Sequence, residues 1–352
     1  MDSAQAKLEQ IMTRVTEWME EHSLALATSK TEVVIFTRKR IPTIIPMRIG
    51  NTEITTKPAA RYLGVMLDTK ITFGEHLKRT ADRAAQKSAA LCHLMRNING
   101  PRPCKRRLMM TVVESILLYG AEVWADALSV AYLRQRLIAV QRRGALRIAC
   151  AYRTVSEPAI FVLTSVIPIQ LMASERKRIF DRRNEGDRSR IAKEERDCTM
   201  VSWQEIWTRE YRGRWTARLV PNIQKWTDRK HGELNFFLTQ FFTGHGLFYA
   251  YLHKMGKVTV PTCPHCQKRE DDDALHTFFK CTKWAAERSQ LLAELGLTPQ
   301  IPTPEAVVSK MLEGERSWSL VAAYAESILT RKTLLERERQ RREHLVRPAI
   351  QN

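Results

Sequence analysis

Apolar residues recur along much of this chain at steps of three and four, the spacing of one face of a helix. Near the start, such a face is formed over residues 4–21 by Leu8, Ile11, Met12, Val15 and Met19. From His76 the spacing returns in a narrow stripe made of Leu77, Ala81, Ala84, Ser88, Leu91 and Met95. Two more apolar helices are predicted over Leu108–Trp124 and Tyr132–Ile148. The chain is therefore predicted to be mostly helical.

Between the first two helical stretches the pattern is that of short strands. Three extended runs are visible there: Glu32–Thr37, Ile44–Ile49 and Arg61–Leu67. A turn is predicted at Gly50-Asn51. Gly64 lies inside the third run, and a glycine inside a strand is typical of a bulge or a close backbone approach. Residues 1–75 are therefore predicted to form a helix and a small antiparallel sheet, which gives an α+β fold class.

The composition changes twice in the later part of the chain. Residues 175–197 are dense in charge of both signs, which predicts a solvated helix or a linker at a domain boundary. Residues 201–252 predict a second core, because they carry Trp203, Trp207, Trp215, Trp226, Phe236, Phe237, Phe241, Phe242 and Phe248. Residues 331–347 contain seven basic and three acidic residues, which predicts an exposed helix.

The charge balance narrows the class of partner. The 352 residues include 57 Lys and Arg against 38 Asp and Glu, a net charge of +19. Such an excess favours nucleic acid, whose bound counterions are released when basic side chains replace them, although an anionic membrane surface would attract it too. The longest uncharged stretch, Pro158–Ser174, is shorter than the ~20 residues of a spanning helix. With scattered cysteines and no secretion signal, we expect a protein of the nucleus and cytoplasm with no membrane partner.

The sharpest chemical motif combines three cysteines and one histidine: Cys263, Cys266, His276 and Cys281. Zn²⁺ takes four such ligands in a tetrahedron, and a filled shell leaves no place for a catalytic water, so a structural zinc site is predicted. The acidic run Asp271–Asp273 predicts a helix N-cap just before His276. Two alternatives stay open: His265 competes as a ligand, and the spacing arises by chance.

A second candidate site is basic. The acid-free stretch 127–156 carries six arginines, and a helix there would align Arg136, Arg143 and Arg147 at spacings of seven and four. Guanidinium groups in a row match the phosphates of a nucleic-acid backbone, whereas the alternative is an ordinary solvated helix face. A loop before the preceding helix adds another basic cluster: Arg102, Lys105, Arg106 and Arg107.

No complete catalytic site follows from the residues. The sequence has neither a phosphate-binding loop of the Walker type nor a nucleophile elbow. Polymerase chemistry needs carboxylates that hold two metal ions about 3.5–4 Å apart, and Asp68 and Asp126 are isolated. From the residues alone, the chain is predicted to bind nucleic acid and zinc, with no catalytic residue.

Several segments resemble the end of a reverse transcriptase from a non-LTR retrotransposon. Three of them lie in the first third of the chain: Lys30–Phe36, Arg61–Asp68 and Ser115–Trp124. Downstream, three more are similar to the C-terminal region of the type-1 elements that insert into arthropod ribosomal genes: Val140–Arg142, Tyr152–Ser156 and Thr243–Leu252. The Cys-Cys-His-Cys cluster follows in the order that this family shows, so the resemblance covers about residues 5–290.

The resemblance implies a role for each part of the chain. Tyr62, Leu63 and Gly64 would lie where such enzymes grip the primer end. Lys30 would lie near the phosphates of the incoming nucleotide, and a structural salt bridge is the alternative role for this lysine. The implied organisation is the end of the polymerase palm (1–75), a helical thumb and connection (76–174), a charged linker (175–200), an aromatic-rich region with a zinc knuckle (201–290) and a helical basic tail (291–352).

The resemblance also implies what the chain lacks. The family's metal-binding aspartates and its endonuclease domain lie upstream of the first helix found here. We therefore expect a fragment of a Pol polyprotein that is inactive alone, with Mg²⁺ bound only in the parent RNA-directed DNA polymerase. Its implied task is to bind element RNA and the target DNA primer during target-primed reverse transcription, beside the rest of the polyprotein. The alternative is a stand-alone zinc protein that binds nucleic acid and has no enzymatic activity.

Overall fold

The computed structural model describes residues 2–27, 30–49, 52–297 and 303–346, and most of them are helical. The predicted Gly50-Asn51 turn, together with residues 298–302 and 347–352 of the predicted tail, lies outside the described residues. The fold class is confirmed: helices dominate, with a small antiparallel component.

The first helix, α1 (Asp2–Glu21), is followed by two antiparallel hairpins in place of one sheet. They consist of β1 (Pro46–Ile49) with β2 (Thr52–Thr55) and β3 (Ala59–Tyr62) with β4 (Val65–Asp68). The predicted strand Glu32–Thr37 forms no ladder. It is extended and fixed at two points, where Lys57 N donates to Val33 O (2.7 Å) and Thr37 N donates to Thr69 O (2.9 Å).

The run Arg61–Leu67 is not one strand, because the chain reverses within it. Tyr62 pairs with Val65, so Leu63 and Gly64 form a two-residue turn with φ of 44° and 89°. Positive φ at both central residues is the mark of a type I′ turn, whose twist matches that of the flanking strands. A Cβ at Gly64 would lie 2.8 Å from Tyr119 Cε1, so the predicted close backbone approach is real although the bulge is not.

Three helices form the next part of the core: α2 (Gly74–His93), α3 (Pro103–Leu117) and α5 (Ala131–Ile148). The predicted helix Leu108–Trp124 is divided. Gly120 adopts φ 64°, and the short helix α4 (Ala121–Trp124) begins after it. The apolar faces of these helices meet through side chains that are fully buried, among them Leu77, Leu117 and Leu137.

The charged segment 175–200 is not an extended linker. It belongs to α7 (Ile169–Asp181) and α8 (Arg188–Arg209), which pack against each other after α6 (Glu157–Thr164). Its opposite charges pair across the two helices: Glu195 accepts from Arg178 and Arg182, and Glu175 accepts from Arg196. The mixed charge therefore holds two helices together.

The remaining helices complete the core. They are α9 (Arg214–Leu219), α10 (Ile223–Thr227), α11 (Phe236–Thr243), α12 (Tyr249–Lys254), α13 (Ala285–Glu294), α14 (Pro304–Glu313) and α15 (Glu315–Val346). The aromatic residues form no second core, because Trp226, Phe241 and Phe248 join the same continuous cluster as Leu77. The tail is not simply exposed either: α15 is buried at several positions between Trp318 and Lys332.

Among the described residues, no single helix is long and apolar enough to cross a membrane. Two bent pairs of consecutive helices pass that test by length and composition: Pro103–Leu117 with Ala121–Ser129, bent by 52°, and Glu157–Thr164 with Ile169–Asp181, bent by 60°.

Candidate metal centre and nucleic-acid interface

The structure brings the four predicted metal ligands together. One ligand atom from each of Cys263, Cys266, His276 and Cys281 lies within 4.8 Å of all the others. Cys263 Sγ is 3.9 Å from Cys281 Sγ, and Cys266 Sγ is 3.3 Å from His276 Nε2. Three of the four residues are buried, and Cys266 is half-buried.

These separations fit a tetrahedral ion. With Zn–S near 2.3 Å and Zn–N near 2.0–2.1 Å, a tetrahedron places two sulfurs about 3.8 Å apart and a sulfur and a nitrogen about 3.5 Å apart. Both expected distances lie close to the separations between the side chains. All four positions of a tetrahedral shell are supplied by the protein, which is the arrangement of a site that stabilises structure.

A short hairpin-like turn presents the first two cysteines. Thr262 and Asp271 form an isolated antiparallel bridge, and Cys263 N donates to Glu270 O at 2.9 Å. Inside the turn, His265 N donates to Cys263 Sγ at 3.4 Å, which favours the thiolate, although the contact with Cys281 and burial together raise the pKa of the Cys263 thiol. His265, the competing candidate, is not part of this group of clustered ligand atoms; its ring lies against Trp284, with 6.0 Å between the ring centroids.

A helical turn presents the other two ligands. Asp273 accepts from His276 N at 2.7 Å, so the acidic run caps this turn as predicted. The turn widens to a π-helix over His276–Lys280, and Cys281 N then donates to His276 O at 2.7 Å. His276 Nδ1 lies 3.1 Å from Glu270 Oε2, so that Nε2 points to the sulfurs. A carboxylate on the far nitrogen is the usual way to orient a ligating imidazole.

Behind the ligands is a buried ion pair that the sequence analysis missed. Lys332 Nζ of α15 donates to both oxygens of Asp272, at 2.8 and 2.7 Å, and both side chains are 1% exposed. Asp272 also accepts from Thr277 Oγ1 (2.6 Å) and from Tyr249 N (2.9 Å). Since the carboxylate and the amine are fully satisfied, the pair fastens the metal-binding turn to the last helix.

Helix α5, which carries the predicted arginine row, packs against α2. Both helices run in the same direction, because their contacts advance together: Lys78 Nζ lies 6.0 Å from the Tyr132 ring centroid, and Arg136 pairs with Asp82 at 2.6 Å. We call five exposed cations of this pair of helices the basic strip: Lys78, Arg83, Lys87, Arg136 and Arg143. Arg79 of α2 is exposed too, but it pairs with Glu75 one turn earlier on the same helix and is not counted in the strip.

The members of the basic strip differ in whether they form ion pairs. Arg143, Arg83 and Lys87 form no ion pair with any described residue, whereas Arg136 is paired with Asp82. The three from α2 were missed by the sequence analysis; they stand on the polar side of the stripe that includes Leu77. Arg147, predicted to join this row, is half-buried, and its guanidinium lies 3.4 Å from Asn97 Oδ1.

The second predicted basic cluster lies in the first turns of α3 and not in a loop before it, since only Arg102 precedes the helix, and its members do not form one surface. Arg102 and Lys105 are exposed, but Arg106 is 2% exposed and cannot reach a phosphate in solution. Its guanidinium donates to the backbone carbonyls of four residues: Met95, Arg96, Pro101 and Arg147. The prediction for Arg106 is therefore wrong. Arg107 donates to Thr164 O at 2.6 Å, and burial lowers the pKa of its guanidinium.

The residues that the resemblance placed at the primer end are on the surface. Tyr62 is 65% exposed at the end of β3, next to the turn that contains Gly64. Tyr119 OH donates to Leu63 O at 2.9 Å and fastens this turn to the segment after α3. Lys30 is exposed beyond α1, with no side-chain partner among the described residues.

Relatives at low identity extend over most of the chain. The Retrovirus-related Pol polyprotein from the type-1 retrotransposable element R1 2 of Nasonia vitripennis is 26% identical over 310 residues, which are 82% of this chain and 74% of the relative. A 115 kDa protein in the type-1 retrotransposable element R1DM of Drosophila melanogaster is 26% identical over 347 residues, 93% of this chain but 33% of that protein. This chain is similar to the Pol proteins of arthropod type-1 retrotransposable elements.

The resemblance inferred from the motifs is thereby confirmed. A further relative, named as a probable RNA-directed DNA polymerase from transposon BS of Drosophila melanogaster, is 30% identical over 133 residues, which are 37% of this chain and 15% of that protein. No family model matches the chain. No solved structure matches it either.

Proposed function

We propose that this chain binds nucleic acid as part of a retrotransposon Pol polyprotein and contributes template–primer contacts to target-primed reverse transcription. The observation that carries the proposal is the basic strip, whose exposed cations lie on two parallel helices that pack against each other. Guanidinium and ammonium groups in a row contact backbone phosphates without reading bases. The Pol relatives support this choice of partner over a membrane surface. On this proposal, α2–α5 serve as the thumb and the segment before α2 as the end of the palm.

The metal in the Cys-Cys-His-Cys site is proposed to be zinc. Three thiolates and one imidazole form a set that a soft, tetrahedral ion prefers, and all four coordination positions are filled by protein. Zinc would supply folding free energy to the segment 261–284 and no chemistry. The turn would then act as a nucleic-acid-binding knuckle close to α15. We place the protein in the nucleus and cytoplasm, where element RNA and target DNA are found.

Titration with salt tests the binding proposal. The affinity for a labelled RNA–DNA hybrid, measured by fluorescence anisotropy, should fall linearly on a plot of log K against log salt. Arg143→Ala should lower the magnitude of the slope by about one and weaken all sequences alike. Arg209→Ala is the matched control, since Arg209 is an exposed arginine of α8, outside the basic strip, with no ion pair in the part of the chain that the structure describes. A flat plot for the wild-type protein would refute phosphate contact.

We also propose that this chain alone does not polymerise DNA and that Mg²⁺ belongs to the parent polymerase site. Two of its carboxylates, those of Asp68 and Asp126, form hydrogen bonds or ion pairs within the fold. Asp68 accepts from Lys70 N, Thr72 N and Thr72 Oγ1, and Asp126 pairs with Lys177. Primer extension on a primed RNA template with Mg²⁺ should give no product. Extension that survives purification to homogeneity would overturn this part of the proposal.

A further inference from the structure

A second basic site lies away from the basic strip, where α3 begins. A cavity of about 620 Å³ opens between the start of α3, the loop 227–233 and the first turns of α15. Cavities of this size hold small ligands. Its lining includes four cations, namely Arg102, Arg107, Arg229 and Lys230, and two carboxylates, those of Glu233 and Glu315. We call it the arginine pocket.

Arg229 is the central cation of the arginine pocket. Its guanidinium lies against two neighbouring indole rings, 3.9 Å from the Trp226 centroid and 5.1 Å from the Trp318 centroid. One end donates to Trp226 O, but the buried Nε has no partner among the described residues. A guanidinium that is stacked in this way is rigid, and its remaining donors are presented in a fixed plane.

The two carboxylates do not neutralise this charge. Glu315 accepts from Gly232 N at 3.1 Å, and Glu233 accepts from Cys104 N at 3.2 Å. Neither forms an ion pair with an arginine or lysine of the pocket within the described part of the chain. Burial, together with the charge of Arg107, lowers the pKa of Arg229 to about 10. Burial is the larger cause, and the repulsion from Arg107 shows that a second cation lies near Arg229.

We propose that the arginine pocket binds a phosphate group through Arg102, Arg107 and Arg229. A phosphate supplies the missing negative charge, and its oxygens accept several hydrogen bonds from planar guanidinium donors. The phosphate group could belong to the backbone of a nucleic acid or to a free ligand such as pyrophosphate. The inference does not rest on the proposed function, since a phosphate site and a nucleic-acid-binding strip are separate surfaces.

Isothermal titration of the full chain with inorganic pyrophosphate, at constant ionic strength, tests the proposal. The wild-type protein should bind one equivalent, and Arg107→Gln should weaken binding at least about tenfold, the effect of losing one charged hydrogen bond. Arg102→Gln changes only an exposed side chain and should weaken binding while leaving folding intact. Arg209→Ala, outside both the arginine pocket and the basic strip, is the control and should leave pyrophosphate affinity unchanged. Absence of binding to the wild-type protein, or wild-type affinity in both Arg102→Gln and Arg107→Gln, would overturn the site.

A second measurement identifies the source of the phosphate. If a nucleic-acid backbone supplies it, pyrophosphate should compete with the RNA–DNA hybrid, and Arg102→Gln should weaken hybrid binding as well. If a free phosphate supplies it, the hybrid should bind Arg102→Gln as tightly as wild type, although pyrophosphate affinity has fallen. Either result is consistent with phosphate binding in the arginine pocket. A loss of hybrid binding in Arg143→Ala alone concerns the basic strip and leaves this inference standing.

Discussion

The metal-binding turn and the basic strip both depend on charged and ionisable side chains, but they use them in opposite ways. In the metal-binding turn (residues 261–284), Asp272 and His276 are buried, as is Lys332 of α15 behind them. Each charge or donor has a partner within hydrogen-bond distance. In the strip, Arg83, Lys87 and Arg143 are exposed and unpaired among the described residues. Removing a partner from a buried set leaves an uncompensated charge, whereas removing an exposed cation leaves water in its place. The first should therefore change stability, and the second should change only binding.

The largest effect is expected from loss of the metal. Cys281→Ser should release zinc and unfold the segment 261–284, because apparent zinc-binding free energies of about 10–16 kcal/mol in zinc-finger peptides are folding free energy. Zinc content by mass spectrometry and hydrogen exchange over that segment are the measurements. Cys198→Ser, at an exposed cysteine of α8, should keep both unchanged. A full equivalent of zinc in Cys281→Ser would contradict the assignment.

The buried ion pair should give the next largest effect. Lys332→Met leaves Asp272 charged and unpaired in the core, which should reduce the free energy of unfolding by about 3–5 kcal/mol. Urea denaturation followed by tryptophan fluorescence measures it. Lys310→Met is the control: Lys310 forms a partly exposed pair with Glu313, worth less than about 1 kcal/mol. Equal unfolding free energies in these two variants would show that the buried pair has no special role.

Arg106 and Arg143 allow the buried and the exposed environment to be compared for the same residue type. Arg106→Gln leaves buried carbonyls without donors and should lower the free energy of unfolding by about 1–3 kcal/mol. Arg143→Gln should change it by no more than about 0.5 kcal/mol. Thermal unfolding of the two variants measures the two changes in unfolding free energy. A larger loss in Arg143→Gln than in Arg106→Gln would reverse the assignment of the two side chains.

The smallest expected effect belongs to Lys87, one of the cations contributed by α2. Lys87→Ala should lower the salt slope of hybrid binding by about one and leave stability unchanged, because the side chain reaches only solvent. The measurement is the same anisotropy titration that tests Arg143. If the slope stays that of the wild type, the nucleic acid follows α5 alone and the strip is narrower than proposed.

The sequence predicted the metal ligands because they are close in the chain and of unusual type. Their supporting ion pair was missed, since Asp272 and Lys332 are 60 residues apart. A local signal for it did exist. Lys332 continues the buried stripe of α15 made of Val321, Ala325 and Ile328.

The spacing of buried residues along a helix also explains why Arg106 was wrongly predicted to contact phosphate. It lies on the buried face of α3 with Met110, Val113 and Leu117, at steps of four, three and four. A count of basic residues does not tell which of two neighbouring arginines faces inward, but the apolar spacing around them does. The direction of the β3–β4 chain reversal depended on Tyr119, which is distant in sequence, and no local pattern gave it.

The position of Lys332 has a practical consequence for anyone who wishes to isolate the metal-binding turn. Trp318, beside the arginine pocket, and Lys332 are fourteen residues apart on one helix, which spans about 21 Å. A peptide that covers only 255–297 would contain every metal ligand but not the amine that compensates Asp272. Unlike a free-standing zinc finger, such an excised piece should be poorly ordered even when loaded with metal, and a workable minimal domain has to extend through α15.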